Sequence, residues 1–179
     1  MSGGFVAVVG PSGAGKDAVI AHASAATAGD GVLFPRRVIT RPAGPGEDHE
    51  PSSEASFERR RDAGEFALWW RAHGLSYGIP AEVADEVAAG RTVVANVSRV
   101  VLEGLGERFG SVRTVRVSVP DEVRRQRIRA RGRENDADAQ ARLARADPAP
   151  GFAYDLDIVN DGTVEQAGEQ LVELIDSLR

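Results

Sequence analysis

The chain has 179 residues, 42 % hydrophobic and 27 % charged, enough for one domain that buries roughly 70 % of its unfolded surface. It contains no cysteine, which excludes a disulfide framework, a thiol nucleophile and Cys-ligated zinc or iron–sulfur sites. A net charge of −5 supplies no basic field for nucleic acid, the apolar runs are far short of a membrane span, and nothing near Phe5–Val9 has the form of a signal peptide; the expectation is a cytoplasmic α/β domain without nucleic-acid or membrane partners.

In chain order, Phe5–Val9 is a continuous apolar run that predicts a strand buried on both faces. Gly10 to Gly15 predicts a glycine-rich turn, and Lys16 to Ala26 a helix. Val38–Thr40 predicts a short strand, Pro42–Pro51 a loop rich in Pro, Gly and acidic residues, and Ser53–Ala63 a helix. Phe66 to Ile79 predicts two strands around Gly74, followed by an amphipathic helix over Pro80–Ala89 with Pro at its first position. Thr92–Ala95 predicts a strand, Val100–Phe109 a helix, and Val112–Val119 another strand. An arginine-rich helix follows Pro120, and a second helix runs over Asp136–Ala146. Leu156–Val159 closes the strands and Thr163–Leu178 the helices. Strands alternating with helices predict a parallel sheet covered on both faces.

The segment Gly10-Pro11-Ser12-Gly13-Ala14-Gly15-Lys16 has the spacing G-x-x-x-x-G-K, directly after a strand and at the start of a helix. Glycines there let backbone N–H groups turn inward around phosphate oxygens, the helix N-terminus adds positive partial charge, and the lysine reaches the outer phosphates. Lys16 is the only lysine in the sequence, so one compact ammonium is retained where arginine otherwise carries the positive charge. The next position usually offers a hydroxyl to Mg²⁺; here it is Asp17. Its carboxylate is a hard oxygen ligand suited to Mg²⁺, and equally a favourable charge in the first turn of a helix.

Further along, Arg131 and Arg133 flank Gly132, while Arg142 and Arg145 are three apart on one helix face. Beside a phosphate loop such arginines are candidates for a lid that closes over the phosphates and stabilises the transferring group. Arg124, Arg125 and Arg129 read instead as a solvated helix face. His49 and His73 read as structural. Trp69 and Trp70 point to opposite sides of a strand, which assigns one of them to the core.

These segments, in this order, resemble a guanylate-kinase-like P-loop kinase along nearly the whole chain. The resemblance is carried by the loop, the Thr40-Arg41-Pro42 corner with Glu47, Gly64-Glu65-Phe66 through Tyr77-Gly78, Arg131-Gly132, and Ile158-Val159-Asn160-Asp161. It implies a P-loop NTPase fold spanning 1–179, with an acceptor-binding insertion at about 36–80 and a lid at about 130–146. Within the family the chain departs from the members that act on a purine nucleotide. Leu68 stands where a guanine-reading glutamate is expected, Ile79 replaces a threonine, and Gly44 replaces a second phosphate-gripping arginine. Those changes would leave a base's donors unpaired, whereas a small sugar bisphosphate needs no such readers. Gly-Lys-Asp at Gly15–Asp17, Arg37-x-Ile39-Thr40-Arg41, Asn96-x-Ser98-Arg99 and Arg131-Gly132-Arg133-Glu134-Asn135 are similar to the branch acting on ribose 1,5-bisphosphate in phosphonate catabolism. That implies ATP and Mg²⁺ as cofactors and 5-phosphoribosyl 1-diphosphate as the product.

An acceptor that is itself a phosphate is ionised near neutrality, so no general base is required, and positioning with charge neutralisation suffices. By the resemblance, Gly10 through Asp17 and Arg133 bind ATP, with Lys16, Arg131, Arg142 and Arg145 acting on the transferred group. Arg37, Arg41, Glu47, Tyr77, Asn96, Ser98 and Arg99 hold the acceptor, and Asp17 the metal. Plainer roles stand beside these: Tyr77 as core, Arg37 as surface, Asn96 and Ser98 as turn formers at a strand end. A nucleoside monophosphate kinase is the nearest rival, disfavoured by Leu68 and Gly44. A non-catalytic binding module of the same fold is the other, disfavoured by Lys16 and the arginine segment.

Overall fold

The computed structural model describes residues 3–44, 47–130 and 147–179. At its centre is β1 (Phe5–Val9), each of whose residues is fully buried. A strand of this kind needs cover on both faces, which a parallel sheet between helix layers supplies. β1 lies between β6 (Val93–Asn96) and β7 (Val112–Ser118), and β8 (Leu156–Val159) follows beyond β7, all four parallel.

The two faces of β1 sort its residues by parity. Phe5, Ala7 and Val9 join Val93 and Ala95 against α3 (Glu82–Ala88) and α4 (Leu105–Phe109). There Phe5 stacks on Phe109 with ring centroids 4.0 Å apart. Val6 and Val8 join Val94, Val115, Val117 and Ile158. They are covered by Val19 and Ala23 of α1 (Lys16–Ala26) and by Leu171 and Ile175 of α6 (Val164–Ser177). Thr163 and Gln166 close a reciprocal capping box at the start of α6, satisfying two backbone donors that the helix leaves open.

A second sheet is built from β2 (Arg37–Ile39), β3 (His49–Pro51), β4 (Phe66–Ala72) and β5 (Leu75–Pro80), in the order β3-β2-β5-β4. β4 and β5 form a hairpin whose turn residues, His73 (φ 59°) and Gly74 (φ 71°), are both left-handed. That turn shape matches the natural strand twist. α2 (Glu54–Asp62), capped by Ser53, sets Phe57 against Phe66 beneath this sheet. Trp70 and Ile79 enter the same apolar cluster as Phe5, so the two sheets share core. Trp70 is the buried member of the tryptophan pair; Trp69 is exposed beside Arg61.

Three expectations are corrected. β3 lies inside the stretch expected to be loop, held parallel to β2 and by Arg36 donating to the His49 carbonyl. The Val100–Phe109 helix is divided into a 3-10 turn, Arg99–Gly104, and α4, because Gly104 and Gly106 weaken an α-helix there. Pro80 ends β5 rather than opening α3, which begins at Glu82. The helix expected over Asp136–Ala146 lies outside the described residues.

Candidate active site

The chain leaves β1 at Gly10 and enters α1 at Lys16. Gly10, Gly13 and Gly15 all have positive φ, the alternation that aims consecutive N–H groups into one hollow. Two of these glycines are also sterically required. A Cβ on Gly10 would lie 2.1 Å from the Val117 carbonyl oxygen, and one on Gly15 would lie 2.4 Å from Asn160 Nδ2. Lys16 Nζ folds back over the loop and donates to the carbonyls of Gly10 (2.8 Å) and Pro11 (3.2 Å).

The loop's carbonyls are fixed from behind by residues that sequence reasoning missed. Arg124 of α5 (Asp121–Ala130) donates through Nε to Ser12 O at 2.9 Å and is only 8 % exposed. This corrects its assignment to a solvated face; Arg125, paired with Glu122 and exposed, keeps that assignment. Arg127 approaches Ala14 O at 3.5 Å, and Asn160, just beyond β8, donates to the same oxygen at 2.8 Å. Arg124, Arg127 and Asn160 thus tie the Ser12 and Ala14 carbonyls to α5 and to the end of β8. The three-residue spacing puts Arg124 and Arg127 on one face of α5, but Arg125 and Arg129 share a face as well, so the spacing alone does not say which arginines meet the loop.

Across from the loop, Asn96 at the end of β6 donates through Nδ2 to Asp17 Oδ1 at 2.7 Å, and Arg37 approaches the same oxygen at 3.5 Å. Arg41 makes a two-pronged pair with Glu47, at 2.6 and 3.1 Å. That hydrogen bonding, with further attraction from Tyr77 and Asp17, raises the already high pKa of Arg41. Glu47 also accepts from the Gly44 N–H, and buried His49 bonds the Arg41 carbonyl. Tyr77 lies flat on Trp70, with centroids 5.3 Å apart. The structure thus brings Arg37 and Asn96 onto Asp17, next to Lys16, and sets Arg41 on Glu47 within electrostatic reach of Tyr77 and Asp17.

Ser98 and Arg99 have other engagements. The Ser98 side chain caps the 3-10 turn through Val100 N–H, and Arg99 pairs with Asp147 at 2.8 Å. Arg131, Arg133, Arg142 and Arg145 lie outside the described residues. Among the described residues no three His, Cys, Asp or Glu side chains cluster as a metal cage.

A braced glycine loop between the central parallel strand and a helix, opposite a small sheet bearing arginines, defines a P-loop kinase of guanylate-kinase type. Comparison of folds agrees. A guanylate kinase from Anaplasma phagocytophilum superposes with a TM-score of 0.71 at 20 % identity, covering 98 % of this chain and 86 % of that one. A gluconokinase from Sinorhizobium meliloti gives 0.54 at 17 % identity, covering 98 % and 93 %. No family model matches the sequence. Among curated proteins, the ribose 1,5-bisphosphate phosphokinase of Pseudofrankia inefficax is 58 % identical over 176 residues, 97 % of this chain and 90 % of the relative. The protein of that name from Chelativorans is 45 % identical over 97 % and 85 %. The chain belongs to the ribose 1,5-bisphosphate phosphokinase family. No helix among the described residues is long and apolar enough to cross a membrane.

Proposed function

We infer that the protein transfers the γ-phosphoryl group of ATP to the 1-phosphate of ribose 1,5-bisphosphate, yielding ADP and 5-phospho-α-D-ribose 1-diphosphate. One observation carries the acceptor assignment: the whole-chain relationship, at 58 % identity, to an enzyme named for that substrate. The acceptor face supports it. Leu68 and Ile79, at the positions where a guanine-reading kinase would carry a carboxylate and a hydroxyl, are cross-strand partners; Ile79 is fully buried in the apolar core and Leu68, partly buried, packs against it. Neither offers a polar atom to a purine edge, and a base lacking such partners would lose its hydrogen bonds on leaving water.

In the step itself an oxygen of the acceptor's 1-phosphate forms a bond to the γ-phosphorus while the bond from that phosphorus to the β-bridging oxygen breaks. ADP leaves with the electron pair, and no proton need be taken from the nucleophile. Lys16 swings from the Gly10 and Pro11 carbonyls to the outer phosphates, and the inward N–H groups of the loop hold the β-phosphate. Arg37 and Arg41 attract the two acceptor phosphates, and Tyr77, propped by Trp70, walls the pocket. Asn96 adds a polar group beside Asp17; Arg131, Arg142 and Arg145, assigned by resemblance alone, act on the transferred group, and Arg133 binds ATP. Asp17, a carboxylate with a 75 % exposed side chain directly after Lys16, fits Mg²⁺, which when bound neutralises charge on the transferring oxygens.

The test is phosphorus NMR of the reaction with ATP, Mg²⁺ and ribose 1,5-bisphosphate. A sugar-linked diphosphate doublet pair is expected. Guanosine diphosphate formed at comparable efficiency from guanosine monophosphate would overturn the acceptor assignment.

A further inference from the structure

In a P-loop site the cation is ordinarily held from two positions: a hydroxyl on the residue after the loop lysine, and a carboxylate at a neighbouring strand end. Both positions are present here with their chemistry exchanged. Asp17 follows Lys16 at the start of α1, and Asn96 ends β6, in parallel register with Val8 of the loop strand. The two side chains touch, Asn96 Nδ2 donating to Asp17 Oδ1 at 2.7 Å.

The exchange preserves what matters electrostatically. Hydroxyl plus carboxylate and carboxylate plus amide each bring a single negative charge to the site. An aspartate at 96 beside Asp17 would set two carboxylates in contact and oppose the triphosphate. A serine at 17 beside Asn96 would leave the pair with no carboxylate. Each residue therefore suits the site only in the company of the other.

We propose that Asp17 and Asn96 form a transposed cation-holding pair, with Asp17 as the ligand and Asn96 as a positioning residue that fixes the carboxylate. The proposal rests on the ATP- and Mg²⁺-dependent reading above. Among the described residues, the hydrogen bonds that Asp17 accepts, from Asn96 and from Arg37, fall on Oδ1, which orients the carboxylate while most of its side chain remains exposed. A competing role for Asp17, orienting Arg37 towards the acceptor, predicts different behaviour and is separated by the experiment.

The experiment measures Mn²⁺ binding by electron paramagnetic resonance in the presence of ATP and without acceptor. It compares the wild type, Asn96→Ala, Asp17→Ser and the double variant Asp17→Ser/Asn96→Asp, each checked by its melting curve. Loss of a residue that orients a metal ligand typically weakens binding about 10–100-fold, and Asn96→Ala is expected in that range. Asp17→Ser is expected to weaken Mn²⁺ by at least as much. The double variant, with the carboxylate returned to the strand end, is expected to recover most of the loss, and the Mg²⁺ concentration for half-maximal turnover should follow the same order. A double variant binding no better than Asp17→Ser, or an Asn96→Ala variant with wild-type Mn²⁺ affinity, overturns the proposal. Unchanged Mn²⁺ affinity in Asp17→Ser with a raised KM for the acceptor overturns it in favour of the Arg37 role. Because the resonance series needs no acceptor, a wrong acceptor assignment appears separately, as wild-type protein that binds Mn²⁺–ATP but does not turn over ribose 1,5-bisphosphate.

Discussion

Replacing Arg124 by methionine tests whether the phosphate loop is held open from behind. Arg124 is 8 % exposed and its Nε lies 2.9 Å from the Ser12 carbonyl. Methionine retains most of the apolar stem, so the chief loss is a hydrogen bond from a charged donor, about 1.5–3 kcal/mol. In a chain of this size each kcal/mol moves the melting temperature by about 2–4 °C, so Arg124→Met is expected to melt about 3–12 °C lower. Nucleotide binding must then reorder the loop. If that costs about 1.4 kcal/mol, ATP affinity falls about tenfold, and saturating ATP recovers part of the lost melting temperature. Arg125→Met, on the exposed face of the same helix, is the control, with a stability change within about 0.5 kcal/mol. Thermal melts with and without ATP, together with calorimetric ATP titrations, read both quantities. An Arg124→Met protein with wild-type melting temperature and ATP affinity would refute the bracing role.

Lys16→Ala is expected to lower kcat by about 10²-fold or more through loss of the ammonium from the transferring charge, and to lower the melting temperature as well, because the hydrogen bonds to the Gly10 and Pro11 carbonyls go with it; ADP-release rates and a melt read the two effects. Gly10→Ala is expected to destabilise the fold by more than about 2 kcal/mol in urea titration, since its Cβ would meet the Val117 carbonyl oxygen at 2.1 Å. Arg116 holds the Asp157 carboxyl below its usual range by hydrogen bonding. A depressed folded pKa contributes stability above the unfolded value and loses it as pH falls through the folded one. The gap between wild type and Asp157→Asn should therefore be constant from about pH 5 to 7 and close below about pH 4. It should stay under about 1 kcal/mol because the pair is partly exposed; urea midpoints at pH 7 and pH 3 check the direction, and a gap that widens on acidification contradicts it.

The phosphate loop was legible in the sequence because its chemistry is a backbone property. Glycine spacing after an apolar pentapeptide specifies both the strand and the turn, and β1 is buried on both faces as its composition requires. Long-range partnerships were less accessible. Nothing local distinguishes Arg124, which brings a buried donor to Ser12, from Arg125 one residue later; only the packing of α5 against the loop separates them. β3 was hidden for a similar reason, since His49–Pro51 has little strand propensity of its own and is extended by pairing with β2. The 3-10 turn after β6 reflects a local competition, with β-branched Val100 and Val101 and two glycines opposing an α-helix that the apolar spacing favoured. Resemblance nominated acceptor residues in this region, but the Arg41–Glu47 pair and the contact between Asn96 and Asp17 required the folded chain. Ser98 and Arg99 show the converse, polar residues beside the site whose observed partners are a helix turn and Asp147.

The proposed acceptor is a sugar bisphosphate and not a purine nucleotide. The most direct measurement is ADP release from ATP under one set of conditions with ribose 1,5-bisphosphate, with guanosine monophosphate, and with no acceptor. Release is expected to depend on ribose 1,5-bisphosphate, with guanosine monophosphate near the rate of the no-acceptor control. Equal or faster release with guanosine monophosphate, or the same rate in all three mixtures, would contradict it.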